Sequence, residues 1–267
     1  VVDGKIAFVG GINISSVYSS GSFRSRQRVE QRDQAANRGP WRDTQLRMEG
    51  PVVGEFQKLF MTTWEKQKGA PLAPRNYFPQ LEKKGGDVVR AIGSSPDDPY
   101  SLVYAALISA IDNAETRVYL TNAYFVPDPQ LLEALKNAVQ RGVDVELLLP
   151  SKSDSSLVFY ASRSFYDELL RAGVKIYERK NVVMHAKTAV IDGVWSTVGS
   201  TNLDWRSLLY NQEINAVILG PEFGTQMETA FAQDVKASNP ITLDQWRDRS
   251  LGARIKEAGA RLWARLL

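Results

Sequence analysis

His185 is the only histidine of the chain, and Lys187 follows two residues later. On an extended strand side chains alternate, so the imidazole and the ammonium project from one face. That pairing suits a phosphoryl group better than a core strand. Lysine brings a positive charge and donors to phosphoryl oxygens. A histidine near neutral pH serves as nucleophile or proton donor. Asp192-Gly193, Val198-Gly199, Ser200 and Asn202 follow. Asn202 adds an amide donor after a Gly-Ser-Thr turn, and Gly199 permits close backbone approach. A lone histidine is more often a packed side chain than a catalyst, so its neighbours must carry the argument. Asp192-Gly193 between two apolar stretches is also a hairpin-turn signal, which leaves Asp192 readable as a structural acid.

The pattern recurs. Asp3-Gly4, Val9-Gly10 and Asn13 precede Asp192-Gly193, Val198-Gly199 and Asn202 by a constant 189 residues. Downstream, Asp43 stands seven residues before Gly50-Pro51, and Glu213 seven before Gly220-Pro221, an offset of 170. Each acid opens an apolar strand, and each Gly-Pro opens a helix carrying an aromatic residue. A repeated unit of this size points to a duplicated fold. The copies differ in that only the second is preceded by His-x-Lys. The first copy's equivalents would fall before residue 1, and the start Val1-Val2-Asp3 is neither an initiator methionine nor a signal peptide. The chain is therefore expected to be a fragment or a processed product.

The elements that would position these groups alternate. Strands are expected at residues 6–9 and 45–48, with a helix opened by Pro51 and carrying Phe56, Leu59, Phe60 and Trp64. Gly10-Gly11 ends the first strand. Residues 15–40 are rich in Ser, Gly, Arg and Gln and read as a long mobile loop. Arg24, Arg26, Arg28, Arg32 and Arg38 make it basic, suited to solvent or to an anionic headgroup. Residues 65–86 are a polar connector and a plausible domain boundary. Strands at 88–92, 117–120, 145–149, 174–177, 188–191, 195–198 and 214–219 then interleave with helices at 100–113, 129–141 and 157–172. Such alternation implies an α/β fold with helices layered on a sheet. The last 45 residues or so read as helical. Within them Ile255, Ala258, Leu262, Trp263 and Leu266 recur at helical spacing beside Arg254, Lys256, Arg261 and Arg265. That stretch either lies in a lipid headgroup boundary or docks its apolar face on the core.

Composition sets outer bounds. The chain of 267 residues has a net charge of only +3, from 33 basic and 30 acidic side chains, which favours no strong global attraction to nucleic acid. Cysteine is absent, which excludes disulfides and thiolate metal sites. No run of about 18 apolar residues is present, so no segment reads as a membrane span.

His185-x-Lys187-x4-Asp192-x6-Gly199-x2-Asn202 resembles the HKD motif of the phospholipase D superfamily. The flanking stretches at 41–65, 121–128, 149–178 and 199–218, and the terminal region around 241–250, are similar to the bacterial cardiolipin synthase group. One departure is Ala123, where a proline is expected before Tyr124-Phe125, which puts the local pocket shape in doubt. The resemblance implies two pseudo-symmetric domains, here 1–86 (incomplete at its N-terminus) and 87–267, each with a mixed sheet flanked by helices. Each contributes one motif to a shared site. One histidine attacks phosphorus and forms a phosphohistidine; the other, here His185 by analogy, serves as general acid and base. Lys187 and Asn202, with Asn13 from the first copy, would clamp phosphoryl oxygens. Gly11, Gly199, Ser200 and Tyr124 would line the substrate pocket. In the family an acid at the Glu213 position orients the opposite copy's histidine, so by symmetry Asp43 would hold His185. No metal or other cofactor is implied.

The expected reaction converts two phosphatidylglycerols to cardiolipin and glycerol, at a bacterial membrane surface. The motif alone leaves open hydrolysis, another acceptor alcohol, a nuclease, or an inactive lipid-binding remnant, because acceptor choice depends on pocket shape and water access. The mechanism uses two histidines and two lysines as a unit. The 267-residue chain alone is therefore expected to form little or no cardiolipin on phosphatidylglycerol vesicles. A form extended upstream through a His-x-Lys should be active, and comparable turnover by both would refute the two-motif reading.

Overall fold

The computed structural model describes residues 1–14 and 40–267. The basic segment read as a loop, with its five arginines, lies outside the described residues. The centre of the molecule is an eight-stranded mixed sheet in the order β12-β7-β6-β5-β9-β10-β11-β4. These strands are β4 Val88–Ser94, β5 Arg117–Thr121, β6 Asp144–Pro150, β7 Lys175–Arg179, β9 Thr188–Ile191, β10 Trp195–Gly199, β11 Glu213–Leu219 and β12 Ser238–Ile241. Strands β5, β6 and β7 run parallel, and the other neighbours pair antiparallel. Both faces are covered, which explains the near-continuous apolar runs of the central strands.

Strand alternation sorts the core into two layers. Val118, Leu120, Val145, Leu147, Leu149 and Ile176 point to one side. There they meet α2 Leu102–Asp112, α3 Pro129–Gln140, α4 Ser156–Arg163 and α5 Tyr166–Ala172. Leu148, Val190 and Val198 point to the other side, against Met227 and Phe231 of α7 Pro221–Lys236. Helix starts follow local chemistry: Ser101, Asp128 and Ser155 each accept a backbone N–H of the first turn, and Pro129 follows Asp128 at N1. The segment expected as one helix at 157–172 is two, broken at Ser164 and Phe165, where the Ser164 hydroxyl bonds back to the Ala161 carbonyl. Gly173, at φ 96°, closes the second.

Residues 1–66 add a small layer to the same body. Strand β1 Ile6–Gly10 pairs antiparallel with β3 Gln45–Glu49, and α1 Val52–Lys66 follows. Ala7, Val9, Met48, Val53 and Phe56 share one core with Ala216 and Ile218 of β11. The short strand β2 Trp41–Arg42 pairs in parallel with β8 Val183–Met184. Neither was read from sequence, because two residues carry no periodicity.

The duplication is visible in the backbone. Asp3 and Gly4 have φ of 51° and 67°, and Asp192 and Gly193 have 53° and 66°. In β1–β3, Ile6 faces Glu49 and Gly10 faces Gln45; in β10–β11, Trp195 faces Leu219 and Gly199 faces Asn215. Those partners are related by the same offsets of 189 and 170 that the sequence repeat shows. Helices α1 and α7 then end at equivalent lysines, Lys66 and Lys236.

The C-terminal region is not wholly helical. After α7, β12 adds an edge strand beside β7, and α8 Leu243–Arg247, α9 Leu251–Leu262 and a final 3₁₀ turn Ala264–Leu266 complete the chain. Of the two expected placements, docking of the apolar face on the core is not the one observed. Glu257, Ala260 and Ala264 face inward, whereas Ile255, Leu262 and Leu266 are exposed.

Asp192 serves the fold. Its carboxylate accepts the backbone N–H groups of Glu115, Thr116 and Arg117 and the Thr116 hydroxyl, at 2.8 to 2.9 Å. Burial alone would raise its pKa, but the hydrogen bonds from Arg117, Glu115 and Thr116 outweigh it and hold the carboxyl below its ordinary range. A depressed carboxyl contributes stability above its unfolded pKa, and that contribution fades as pH falls through the folded value. Asp192→Ala should therefore cost about 1–2 kcal/mol near neutral pH. The difference in melting temperature from the parent should shrink on acidification. A constant difference across the acid range would contradict this.

Candidate active site

His185 and Lys187 sit on the extended stretch that links β8 to β9, so both motif side chains are aimed by flanking sheet. The β2–β8 ladder runs on into the motif, with the His185 N–H donating to the Arg42 carbonyl at 2.8 Å. That register carries Asp43 to the imidazole. His185 Nδ1 lies 2.8 Å from Asp43 Oδ2 and 3.1 Å from the Gly11 carbonyl. Both partners only accept, so Nδ1 carries the hydrogen, and in the neutral ring the lone pair resides on Nε2. The two side chains are well shielded, 14% and 1% exposed. The Trp41 ring packs against the imidazole at 4.9 Å between centroids.

Gly11 is required by space. A Cβ there would stand 2.3 Å from Asp43 Oδ1 and 2.7 Å from the His185 carbonyl. Gly199 is similarly constrained, since its Cβ would meet Asn215 Oδ1 at 2.1 Å. Asn215 uses that oxygen to hold the Thr201 hydroxyl at 2.7 Å, fixing the turn that leads to Asn202. Asn202 is half-buried, and among the described residues its Oδ1 is buried without a hydrogen-bond partner. A buried unpaired amide oxygen is costly unless a ligand or solvent meets it.

Lys187 is 5% exposed and donates to the His185 carbonyl at 2.6 Å. Burial pushes its pKa down to about 8, opposed by the charges of Asp43, Glu213, Asp154 and Asp204. The ring of acids thus keeps a desolvated ammonium protonated near neutrality. Tyr124, on the loop after β5, donates its hydroxyl to Asp154 at 2.6 Å, and its carbonyl accepts the Leu203 N–H. Glu213, at the start of β11, accepts the Ser200 hydroxyl at 2.5 Å and the Asn211 amide at 3.2 Å. It lines an open groove walled by Phe8, Phe56, Phe60 and Tyr100.

Of the residues singled out from sequence, the structure brings together His185, Lys187, Asp43 and Gly11, with the second-copy turn of Gly199, Ser200 and Asn202 beside Glu213. It does not bring Asp192 there. Asp192 ends β9 at the far side of the sheet, roughly 15 Å along the strand from Lys187 by strand rise, and is held by backbone amides. Asn13 is exposed near the end of the described N-terminal segment, two residues after Gly11. Trp41, Asp154, Asp204 and Asn215 were not foreseen. Trp41 lay within a stretch recognised only as similar, and Asp154 carries no signal until the loop after β6 is folded.

Residues 107–235 match the family model "Cardiolipin synthase, PLD-like domain". The chain is 35% identical over 269 residues to the cardiolipin synthase of Geobacillus thermodenitrificans, covering all of this chain and 51% of that protein. It is also 35% identical over 270 residues to the cardiolipin synthase of Listeria welshimeri, covering 53% of it. The chain thus spans about half the length of the curated relatives it matches. Among solved structures it resembles the phosphatidylserine synthase of Haemophilus influenzae, with a TM-score of 0.69 and 11% identity over 98% of this chain and 67% of that one. It also resembles Nuc of Salmonella typhimurium, a phospholipase D family member, at a TM-score of 0.50 and 21% identity, covering 59% of this chain and 99% of that one. The fold, its repeated strand unit and the single His-x-Lys of the second copy define a phospholipase D-like protein. By its domain match and its relatives, the chain belongs to the phospholipase D superfamily.

The depressed Lys187 pKa has a measurable consequence. Between about 8 and the ordinary 10.5 the unfolded chain holds a proton that the folded one has released, so stability gains with rising pH in that window. Lys187→Met, which removes the buried charge, should be more heat-stable than the parent at about pH 7, and its advantage should narrow toward about pH 10. A gap that stays constant with pH would show that Lys187 is not charged and desolvated.

Proposed function

We propose that this chain is part of a phosphatidyltransferase that joins two phosphatidylglycerols into cardiolipin, with His185 and Lys187 forming one half of the catalytic machinery. The observation that carries this reading is the clasp of His185 Nδ1 by Asp43, an acid from the other repeat unit, beside the buried Lys187. An imidazole held at Nδ1 by a carboxylate presents Nε2 for proton transfer or attack. The cardiolipin synthase relatives favour phosphatidyl transfer over the hydrolase, nuclease or inactive alternatives.

The step this half performs is acid–base. As the histidine of a second His-x-Lys pair attacks phosphorus, protonated His185 gives its Nε2 proton to the departing glycerol oxygen. The P–O bond breaks as the P–N bond forms. The neutral His185 then takes the hydroxyl proton of the second phosphatidylglycerol as that oxygen displaces the phosphohistidine nitrogen, which closes the cycle without net proton change. Lys187 and Asn202 stabilise the non-bridging oxygens, whose charge grows in each transition state. Asp43 stabilises the imidazolium formed in the second step. Because this chain has a single histidine, it supplies only one of the two.

By the pseudo-symmetry, Glu213 and its Ser200 and Asn211 partners would hold that second imidazole as Asp43 holds the first. The division into lobes at 1–86 and 87–267 belongs to the same reading. The location is a membrane surface, where phosphatidylglycerol resides, although no described helix is long and apolar enough to cross one.

In a form carrying both His-x-Lys pairs, His185→Ala should abolish turnover in a protein that still folds, with a lowered melting temperature because the buried Asp43 loses its imidazole partner. Asp43→Asn should lower kcat by about tenfold or more with little change in KM, since it orients rather than binds. Lys187→Ala and Asn202→Ala should each cost on the order of a hundredfold. Full cardiolipin formation by His185→Ala would remove the site from consideration, and an unchanged rate in Asp43→Asn would reduce Asp43 to a structural acid.

A further inference from the structure

Residues 250–267 carry four cations, Arg254, Lys256, Arg261 and Arg265, and one acid, Glu257. The acid faces inward: Glu257 is 2% exposed and pairs with Arg249 at 2.7 Å. The buried side of the segment is completed by Ala260 and Ala264, and Arg261 reaches across to the Ser164 carbonyl at 2.9 Å. The outward side is therefore free of negative charge.

That outward side is apolar along its centre. Leu251, Ile255 and Leu262 fall at i, i+4 and i+11, one stripe of α9, and Leu266 is exposed in the 3₁₀ turn that follows. Ile255 is 72% and Leu262 85% exposed, far beyond what scattered surface residues need. Arg254 flanks one edge of the stripe and Lys256 the other, and the exposed Trp263 and Arg265 follow at its C-terminal end. An apolar band with a cation on each edge, and a tryptophan and a further arginine at its end, matches a headgroup boundary: aliphatic side chains enter the acyl region and cations meet lipid phosphates.

The segment is also held where such a role would be useful. Helix α9 packs on α4, which begins immediately after Asp154, the partner of Tyr124. The last residue's carbonyl, Leu267, accepts the Arg206 N–H of α6 Trp205–Leu209 at 3.0 Å, and α6 begins just after Asn202. Both helices that seat the C-terminus grow out of loops that line the candidate active site.

We propose that residues 250–267 form a docking surface for an anionic lipid bilayer, lying in the headgroup plane with Leu251, Ile255, Leu262 and Leu266 inserted. Binding here is separable from turnover, so the test does not depend on the catalytic reading. The purified chain is floated with phosphatidylcholine vesicles, with or without phosphatidylglycerol, at low and high salt. The parent should co-float with the anionic vesicles, less so at high salt. I255E/L262E, altered only at exposed positions, should lose binding by about tenfold or more. R254Q/R265Q should weaken binding to anionic vesicles a few-fold and flatten the salt dependence. Melting curves establish that each variant is folded, and I255Q replaces I255E/L262E should the latter prove unstable. Equal flotation of parent and I255E/L262E overturns the proposal, as does a parent that binds neither vesicle. Self-association abolished by I255E/L262E, without vesicle binding, also overturns it, since the stripe would then be a protein interface.

Discussion

The arrangement of this molecule turns on one hydrogen bond, the 2.8 Å contact between His185 Nδ1 and Asp43. Its two partners lie 142 residues apart and belong to different copies of an internal repeat. Much of the surrounding structure exists to make that contact possible. The β2–β8 ladder sets the register, and Arg42 anchors it by pairing with Asp234 of α7 at 2.8 Å. Gly11 supplies a carbonyl as second acceptor and leaves no atom in the space Asp43 needs. A carboxylate 1% exposed would be expensive without partners. The imidazole N–H and the Thr44 N–H, at 2.8 Å, meet that need.

The same economy explains Lys187. A buried ammonium would ordinarily shed its proton, and its pKa falls to about 8 because burial dominates. Four acids around it resist the fall. The site therefore holds a charge that is poorly solvated yet still present at neutral pH. In the proposed reaction, an arriving phosphodiester would replace missing solvent with a fixed anion, so that the cost of burying the lysine becomes attraction for substrate. Asp204 shows the other sign of the same effect: burial raises its pKa to about 6, partly opposed by its hydrogen bonds to Ser207.

Much of this was legible in the residues. The HKD spacing and the repeat identified the His185–Lys187 face, and the offsets of 189 and 170 reappear as strand register. Alternating apolar runs gave the sheet and most helices. What escaped depended on contacts remote in sequence. Asp192 carries the motif's letter but spends its carboxylate on the amides of residues 115–117, which no local pattern reveals. The split at Ser164 follows from one hydroxyl turning back on its own helix. The edge strand β12 contains Pro240, which argues against a strand in sequence yet is tolerated at an edge. The amphipathic C-terminus was visible as a pattern, but which face docks is set by Glu257. Its ion pairs with Arg249 and Arg163 draw the polar side inward.

The two copies are alike in backbone and unlike in the residue beside each acid. Gly11 and Ser200 occupy equivalent positions. In the first copy the glycine stands aside and the acid binds a histidine. In the second copy the Ser200 hydroxyl takes the acid's place-holder role, donating to Glu213 while accepting the Ile214 N–H at 3.0 Å. A carboxylate with its own local donors keeps its position whether or not an imidazole is present. Asp43 is met by the Thr44 N–H and by the imidazole it orients. The duplication therefore preserved the strand register and the acid, while the residue next to the acid was free to change how much of the clamp is built before its histidine arrives.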